Sequence, residues 1–290
     1  MKHIYSSVII AFIAGLCSFA NAQGSNFVLL GSSEEIPAEH KTVRPITAPF
    51  LHEDALITTD VRAWYLYHDF DNSYIDITAV QIRLALTENL QAVAYKDGYI
   101  NDEDGVDGWS DIGLGIKWAL FQDVGSQFFI AVGAGYEFGV GDDQVFQDTD
   151  EYRFWVSANK GFDKLHFGAT VNYIIAGDGK QDGLVGNSDM LTLHLHADYF
   201  VNEWFSPVVE MNGYFVQEAN NTITGLNFSG VDAFSINGGE DNDTITYALG
   251  FELRPLDESL GLRVAYETQL NNDEESLFGY RWSFSAVYEF

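Results

Sequence analysis

Side chains that alternate with a period of two, over segments of about a dozen residues, constrain this chain more than any other feature. In one segment Leu165, Phe167, Ala169, Val171, Tyr173 and Ile175 form an apolar face against His166, Gly168, Thr170 and Asn172. In the next, Leu191, Leu193, Leu195, Ala197 and Tyr199 oppose Thr192, His194, His196 and Asp198. Nearer the end, Ile245, Tyr247, Leu249, Phe251 and Leu253 oppose Thr244, Thr246, Ala248, Gly250, Glu252 and Arg254. A period of two is that of a strand, whose successive side chains point to opposite faces. Soluble sandwiches alternate too, but their strands average about five or six residues. Segments twice that long match tilted strands that cross a bilayer in roughly 9–11 residues.

The pattern predicts twelve strands, over 55–68, 74–86, 89–99, 110–121, 127–138, 150–160, 164–176, 189–201, 204–217, 242–254, 259–270 and 278–290. Twelve is even, as in bacterial single-chain barrels. Short turns near 87–88, 122–126, 161–163, 202–203 and 255–258 interleave with longer connections at 69–73, 100–109, 139–149, 177–188, 218–241 and 271–277. Strict interleaving puts every longer loop at one end, outside the cell, and both termini on the periplasmic side. The predicted fold is therefore all-β: a transmembrane antiparallel up-and-down β-barrel of about twelve strands.

The chain divides into three parts. Residues 1–22 read as a signal peptide, with Lys2 and His3 before an apolar stretch and Ala20, Asn21 and Ala22 at the cleavage site. A lipid-attachment reading of Cys17 competes, but Leu16 stands where such a signal wants a small residue. The single cysteine lies in this segment, so residues 23–290 hold no thiol or disulfide. Residues 23–54 contain three of the five prolines (Pro37, Pro45, Pro49) and no clear period. They read as an N-terminal tail or a plug, with the mobile periplasmic tail preferred on composition. Residues 55–290 form the barrel. The net charge of −29 argues against nucleic acid as a partner.

If the apolar faces meet lipid, the other faces line a lumen. The predicted lumen set includes Arg62, Arg83, Lys117, Arg153, Arg254, Arg263 and Arg281. Its acids are Asp60, Asp111, Glu137, Glu210, Glu252 and Glu267. A cation facing lipid at the midplane would cost about 2–4 kcal/mol, so the sorting supports the assignment of faces. Two readings stay open. The ladder binds or filters a solute, as charged rings do in pores. Alternatively its charges pair and fill the barrel; this reading is preferred for most of them, because unpaired buried charge is costly. His166, His194 and His196 share that face beside Asp198. Histidines at i and i+2 can chelate zinc; polar lumen packing is preferred over a metal, and a pH-sensitive constriction is a third reading. The loop 101–108 has the look of a calcium loop but lacks the full acidic spacing and terminal glutamate. No Gly-x-Ser-x-Gly or His-x-Ser pair at a strand end suggests a hydrolase, and no cofactor is expected.

The last segment reads Tyr280, Trp282, Phe284, Ala286, Tyr288 and Phe290 on one face. It resembles the C-terminal signature of bacterial outer-membrane barrels. That resemblance implies an outer-membrane location, lipid around the barrel, and an assembly signal at Tyr288 and Phe290 read by the barrel-assembly machinery. A second resemblance lies in Ser110-Asp111-Ile112-Gly113-Leu114-Gly115-Ile116-Lys117-Trp118 and in the strand from Ala131 to Asp142. These look like paired strands of the outer-membrane proteins of phenol meta-pathway degradation. Here Trp118 stands where that family often has Tyr, and Phe-Gly-Val-Gly-Asp replaces its commoner Pro-Thr-Gly-Asp. The resemblance implies passive uptake of small, often hydrophobic or aromatic solutes. The competing expectations are a non-conducting structural or surface-interaction barrel and an outer-membrane lipid hydrolase.

Overall fold

A computed structural model describes residues 36–70, 73–103, 105, 107–142, 145, 150–177, 189–218, 243–255, 259–270 and 278–290. The signal-peptide reading of 1–22, and most of the longer outer loops, lie outside the described residues. A short 3-10 turn, Ala38–His40, precedes the strands. These are β1 (Asp60–Phe70), β2 (Ser73–Ala85), β3 (Leu90–Asp102), β4 (Asp107–Trp109), β5 (Ile112–Asp123), β6 (Phe128–Phe138) and β7 (Glu151–Phe162). There follow β8 (Leu165–Ala176), β9 (Asp189–Tyr199), β10 (Phe205–Glu218), β11 (Thr244–Leu253), β12 (Leu260–Gln269) and β13 (Tyr280–Glu289).

Twelve of these strands make a closed antiparallel barrel, and β4 is a three-residue addition on the outer end of β3. Each strand pairs with its neighbour in sequence, β3 passing over β4 to β5. The ring closes where β1 meets β13, from Asp60↔Glu289 to Asp69↔Tyr280. Closure leaves no open edge, and so every strand satisfies its backbone groups within the ring. That is what a chain without disulfides needs in order to cross lipid.

The predicted strands from 74–86 onward match observed ones within three residues at either end. Three local readings are corrected. The first strand starts at Asp60, not at 55, because residues 55–59 run inside the barrel. The connection read as a longer loop at 69–73 is a tight hairpin, since Phe70 already pairs with Ser73. The strand β4 was not predicted; its three residues are too few to show a period.

The bulge of β3 against β2 depends on one glycine. Register shifts between Thr78 and Val80, and Gly98 takes φ +109° there. A Cβ at Gly98 would fall on the Thr78 carbonyl oxygen, so only glycine fits.

The outward face is apolar as predicted. Phe167, Val171, Tyr173, Leu249 and Phe284 are exposed on it, and Pro207 sits on it as the third residue of β10. Rings gather at the outer rim, where Tyr136 packs on Tyr152 at 4.9 Å and Tyr266 on Trp282 at 5.0 Å. Such girdles suit the bilayer interface, where one end of a ring is wet.

Candidate functional site

The inside of the barrel is occupied. Residues 42–59 enter from the periplasmic end, reverse below the outer mouth and return to begin β1. Every one of them is buried. This overturns the preference for a mobile tail over this stretch. The prolines fit the observed path: Pro45 and Pro49 lie in a strap that joins no ladder and needs few backbone donors.

At the tip the backbone is strained. Ala48 and Phe50 have φ of 49° and 68°, and His52 N donates to the Ala48 carbonyl at 3.0 Å. A left-handed non-glycine residue costs about 1–2 kcal/mol, so packing must hold the turn. Phe50 supplies it: the ring stacks on Tyr95 at 5.5 Å and meets Trp64 edge-on at 5.6 Å. Ala48 and Leu51 pack with Ile174, Met190, Tyr214 and Phe278.

Two sets of polar contacts anchor the strap. On one side the strap brings carboxylates to basic residues of the wall. Asp54 pairs with Arg62 at 2.7 Å and Arg83 at 2.8 Å, and with Arg44 of the strap itself at 3.2 Å. Glu53 pairs with Arg83 at 3.3 Å and accepts from Gln81 Nε2 at 2.6 Å. Lys117 Nζ donates to the Asp54 carbonyl at 3.0 Å, and Asp60 binds both Arg62 and Arg83. All of these groups are buried, so each charge depends on the others for compensation.

On the other side the wall supplies the carboxylates. Glu210 accepts the Ile46 and Thr47 backbone N–H groups, each at 2.8 Å. Asp198 accepts from the Thr42 hydroxyl at 2.6 Å and from Val43 N at 3.1 Å. His196 bridges the two acids, Nδ1 to Glu210 at 2.9 Å and Nε2 to Asp198 at 3.0 Å. His166 reaches Asp198 at 2.8 Å. His194 uses Nδ1 with Asn212 and Nε2 with Thr192, and stacks on His52 of the strap at 5.4 Å. Both nitrogens of His194 and of His196 are thus engaged with protein groups. Among the described residues no group of three His, Cys, Asp or Glu is arranged to hold a metal.

Higher in the lumen, Arg281 Nε donates to Glu267 at 2.9 Å, and Glu267 also accepts from Asn212 at 2.9 Å and Thr246 at 2.5 Å. Arg153 lies over the Trp155 ring at 4.8 Å and donates to Asn172 at 2.9 Å. The glycine-rich stretch of β5 and β6 acts as a seat for rings. A Cβ at Gly113 would be 1.9 Å from the Tyr95 ring, and one at Gly133 would be 2.0 Å from Trp155.

The lumen candidates Arg62, Arg83, Lys117, Arg153, Glu210, Glu252, Arg263, Glu267, Arg281, His166, His194 and His196 are all buried on the inner face. Arg254 follows the end of β11, is partly buried, and pairs with the inward Glu252 at 2.5 Å. Asp111 is buried but staples a loop, accepting Val140 N and Gly141 N at 2.7 Å each. Asp142 does the same for Trp109 N at 2.7 Å. Part of the calcium-like loop, Asp104 and Val106, lies outside the described residues.

The sequence reading missed Arg44, His52, Glu53 and Asp54, because aperiodic segments give no face to assign. Their density of charge next to a polar lumen was the available signal. It also missed Trp64, Tyr95 and Trp155, which are inward rings among polar neighbours.

No family model matches the chain, and no curated protein matches it by sequence. Among solved structures it is similar to an outer membrane channel from Pseudomonas putida F1, with TM-score 0.60 and 13% identity, over 86% of this chain and 100% of that one. It is also similar to the NanC porin, with TM-score 0.51 and 12% identity, over 80% of this chain and 100% of that one. At such identity the likeness concerns fold. The fold, with its apolar outer face and polar interior, is that of a bacterial outer-membrane β-barrel. The outer membrane is accordingly where this chain resides.

Proposed function

We propose that this protein is an outer-membrane channel for the passive uptake of small solutes, with small hydrophobic or aromatic molecules as its solute class. The observation that carries the reading is the lumen itself. It is lined by charged and polar side chains, and Trp64 and Tyr95 pack around Phe50 of the strap. A polar lining is what a route for water and small solutes across lipid requires. Two further points support it. The similar folds belong to a channel and a porin, and the β5–β6 stretch resembles the phenol meta-pathway proteins. Lipid surrounds the outer face, and Tyr288 and Phe290 present the assembly signal.

The test is single-channel conductance of the refolded protein in a planar bilayer, with liposome swelling on sugars and small aromatics. Steady conductance or solute entry supports the channel. A folded, heat-modifiable barrel silent in both assays sinks it. The second reading, a non-conducting structural or surface-interaction barrel, is favoured by one observation: the strap is ion-paired across the lumen. A hydrolase would need a nucleophile beside a histidine at the rim, whereas His166, His194 and His196 lie inside, bonded to lumen or strap partners.

A further inference from the structure

We infer that the barrel wall between β12, β13 and β1 contains an anion-binding pocket built around Arg263, and that its ligand is a small monovalent anion, a halide or a short carboxylate. Arg263 is 1% exposed. Its Nη1 donates to the carbonyls of Arg44 and Pro45 in the strap, at 3.1 and 3.4 Å. Its Nε and Nη2 have no hydrogen-bond partner. The charged groups that face it are Arg62, Glu252, Asp60 and Glu210. Each acid among them is committed elsewhere: Glu252 to Arg254, Asp60 to Arg62 and Arg83, and Glu210 to His196 and the strap. The other arginines of this side, Arg44, Arg62 and Arg83, all hold carboxylates. Glu252 stands directly opposite Arg263 on β11 but makes its ion pair with Arg254; a buried guanidinium with no close ion pair is costly, so an anion at its free edge is the physical expectation.

A second, independent observation places that anion. Ser285 is the cross-strand partner of Arg263, and Ser283 is the partner of Ala265. Both hydroxyls are buried and unpartnered. Side chains directly opposite in an antiparallel pair lie about 4.5–5.5 Å apart at Cβ, so the Ser285 hydroxyl stands on the inner face beside the foot of the Arg263 side chain. On the far side of β13, Trp64 pairs with Ser285, and its ring lies under the Arg263 guanidinium at 6.0 Å. Strap residues 44–46 close the top, with Trp64 Nε1 donating to the Ile46 carbonyl at 3.2 Å. The site so framed has two guanidinium N–H edges and two hydroxyls able to donate, beside Ala265, which packs against Val43 and Ile46 of the strap. Such donors, enclosed by the strap, are the chemistry of a compact anion. Binding does not require that the barrel conduct, so the inference stands or falls separately from the channel.

The test uses the whole barrel crystallised in bromide, with anomalous scattering as the readout. A bromide peak at hydrogen-bond distance from Arg263, absent in Ser283→Ala/Ser285→Ala, is expected. A parallel melt at constant ionic strength should show a higher midpoint in bromide than in gluconate, a difference lost in Arg263→Gln and in the serine double variant. The serine variant keeps the test alive if Arg263→Gln does not fold. No peak at Arg263, a peak that survives the serine substitutions, or a peak without the solution effect (binding at crystal concentration only) would each overturn the inference.

Discussion

The two anchors of the strap differ in which partner carries the charge. On the Arg62, Arg83 and Lys117 side, the strap contributes Glu53 and Asp54 and the wall contributes the cations. On the Asp198 and Glu210 side, the wall contributes the acids, and the strap offers backbone N–H groups and the hydroxyls of Thr42 and Thr47. The first anchor is written in side chains and fails when one charge is removed. The second depends mostly on main-chain donors, which almost any residue carries. The strap is therefore specified tightly near its C-terminal end and loosely near its start.

Substitutions sharpen this contrast. Arg83→Met should do the most damage, because it strands Glu53, Asp54 and Asp60 with too little counter-charge. A loss of about 3–5 kcal/mol is expected from breaking a buried charge network, read as the urea unfolding midpoint in detergent. Glu210→Gln keeps one acceptor for the Ile46 and Thr47 amides, so it should cost less, about 1.5–3 kcal/mol. Protease cleavage within 42–48 should rise in the same variant. Equal losses for the two variants would erase the difference between the anchors. Thr42→Val removes one hydroxyl from Asp198 while Val43 N still donates; about 1 kcal/mol is expected by the same unfolding measurement. The smallest effect is the coupling. The Arg83→Met/Glu210→Gln double variant should match the sum of the singles to within about 0.5 kcal/mol if the anchors act independently. A larger coupling would show that the strap moves as one piece.

The anchors were also unequally legible. Arg62, Arg83 and Lys117 could be placed on the lumen face because each sits in a strand with a clear period. Their partners Glu53 and Asp54 could not, since residues 42–59 form no ladder and present no face. Glu210 and Asp198 were recognised as inward acids, yet their work for the strap was invisible, because an amide N–H leaves no trace in a sequence. Arg254, one step past the end of β11, still pairs with the inward Glu252, as the alternation suggests. Asp111 was read as lumen charge, although loop closure across Val140 and Gly141 uses it.

What the amino-acid order determined by itself was the wall. A period of two, repeated in segments of membrane-spanning length, leaves a closed antiparallel ring as the arrangement that satisfies every backbone group in lipid. It also settled which side chains face in and which face out, since a shift of one residue would turn the whole apolar set inward. What only the tertiary structure decided was the filling: that the lumen holds the strap, which acid meets which arginine, and that Arg263 and Ser285 are left facing one another. Those outcomes join residues far apart in the chain, and distance in sequence carries no information about who meets across a barrel.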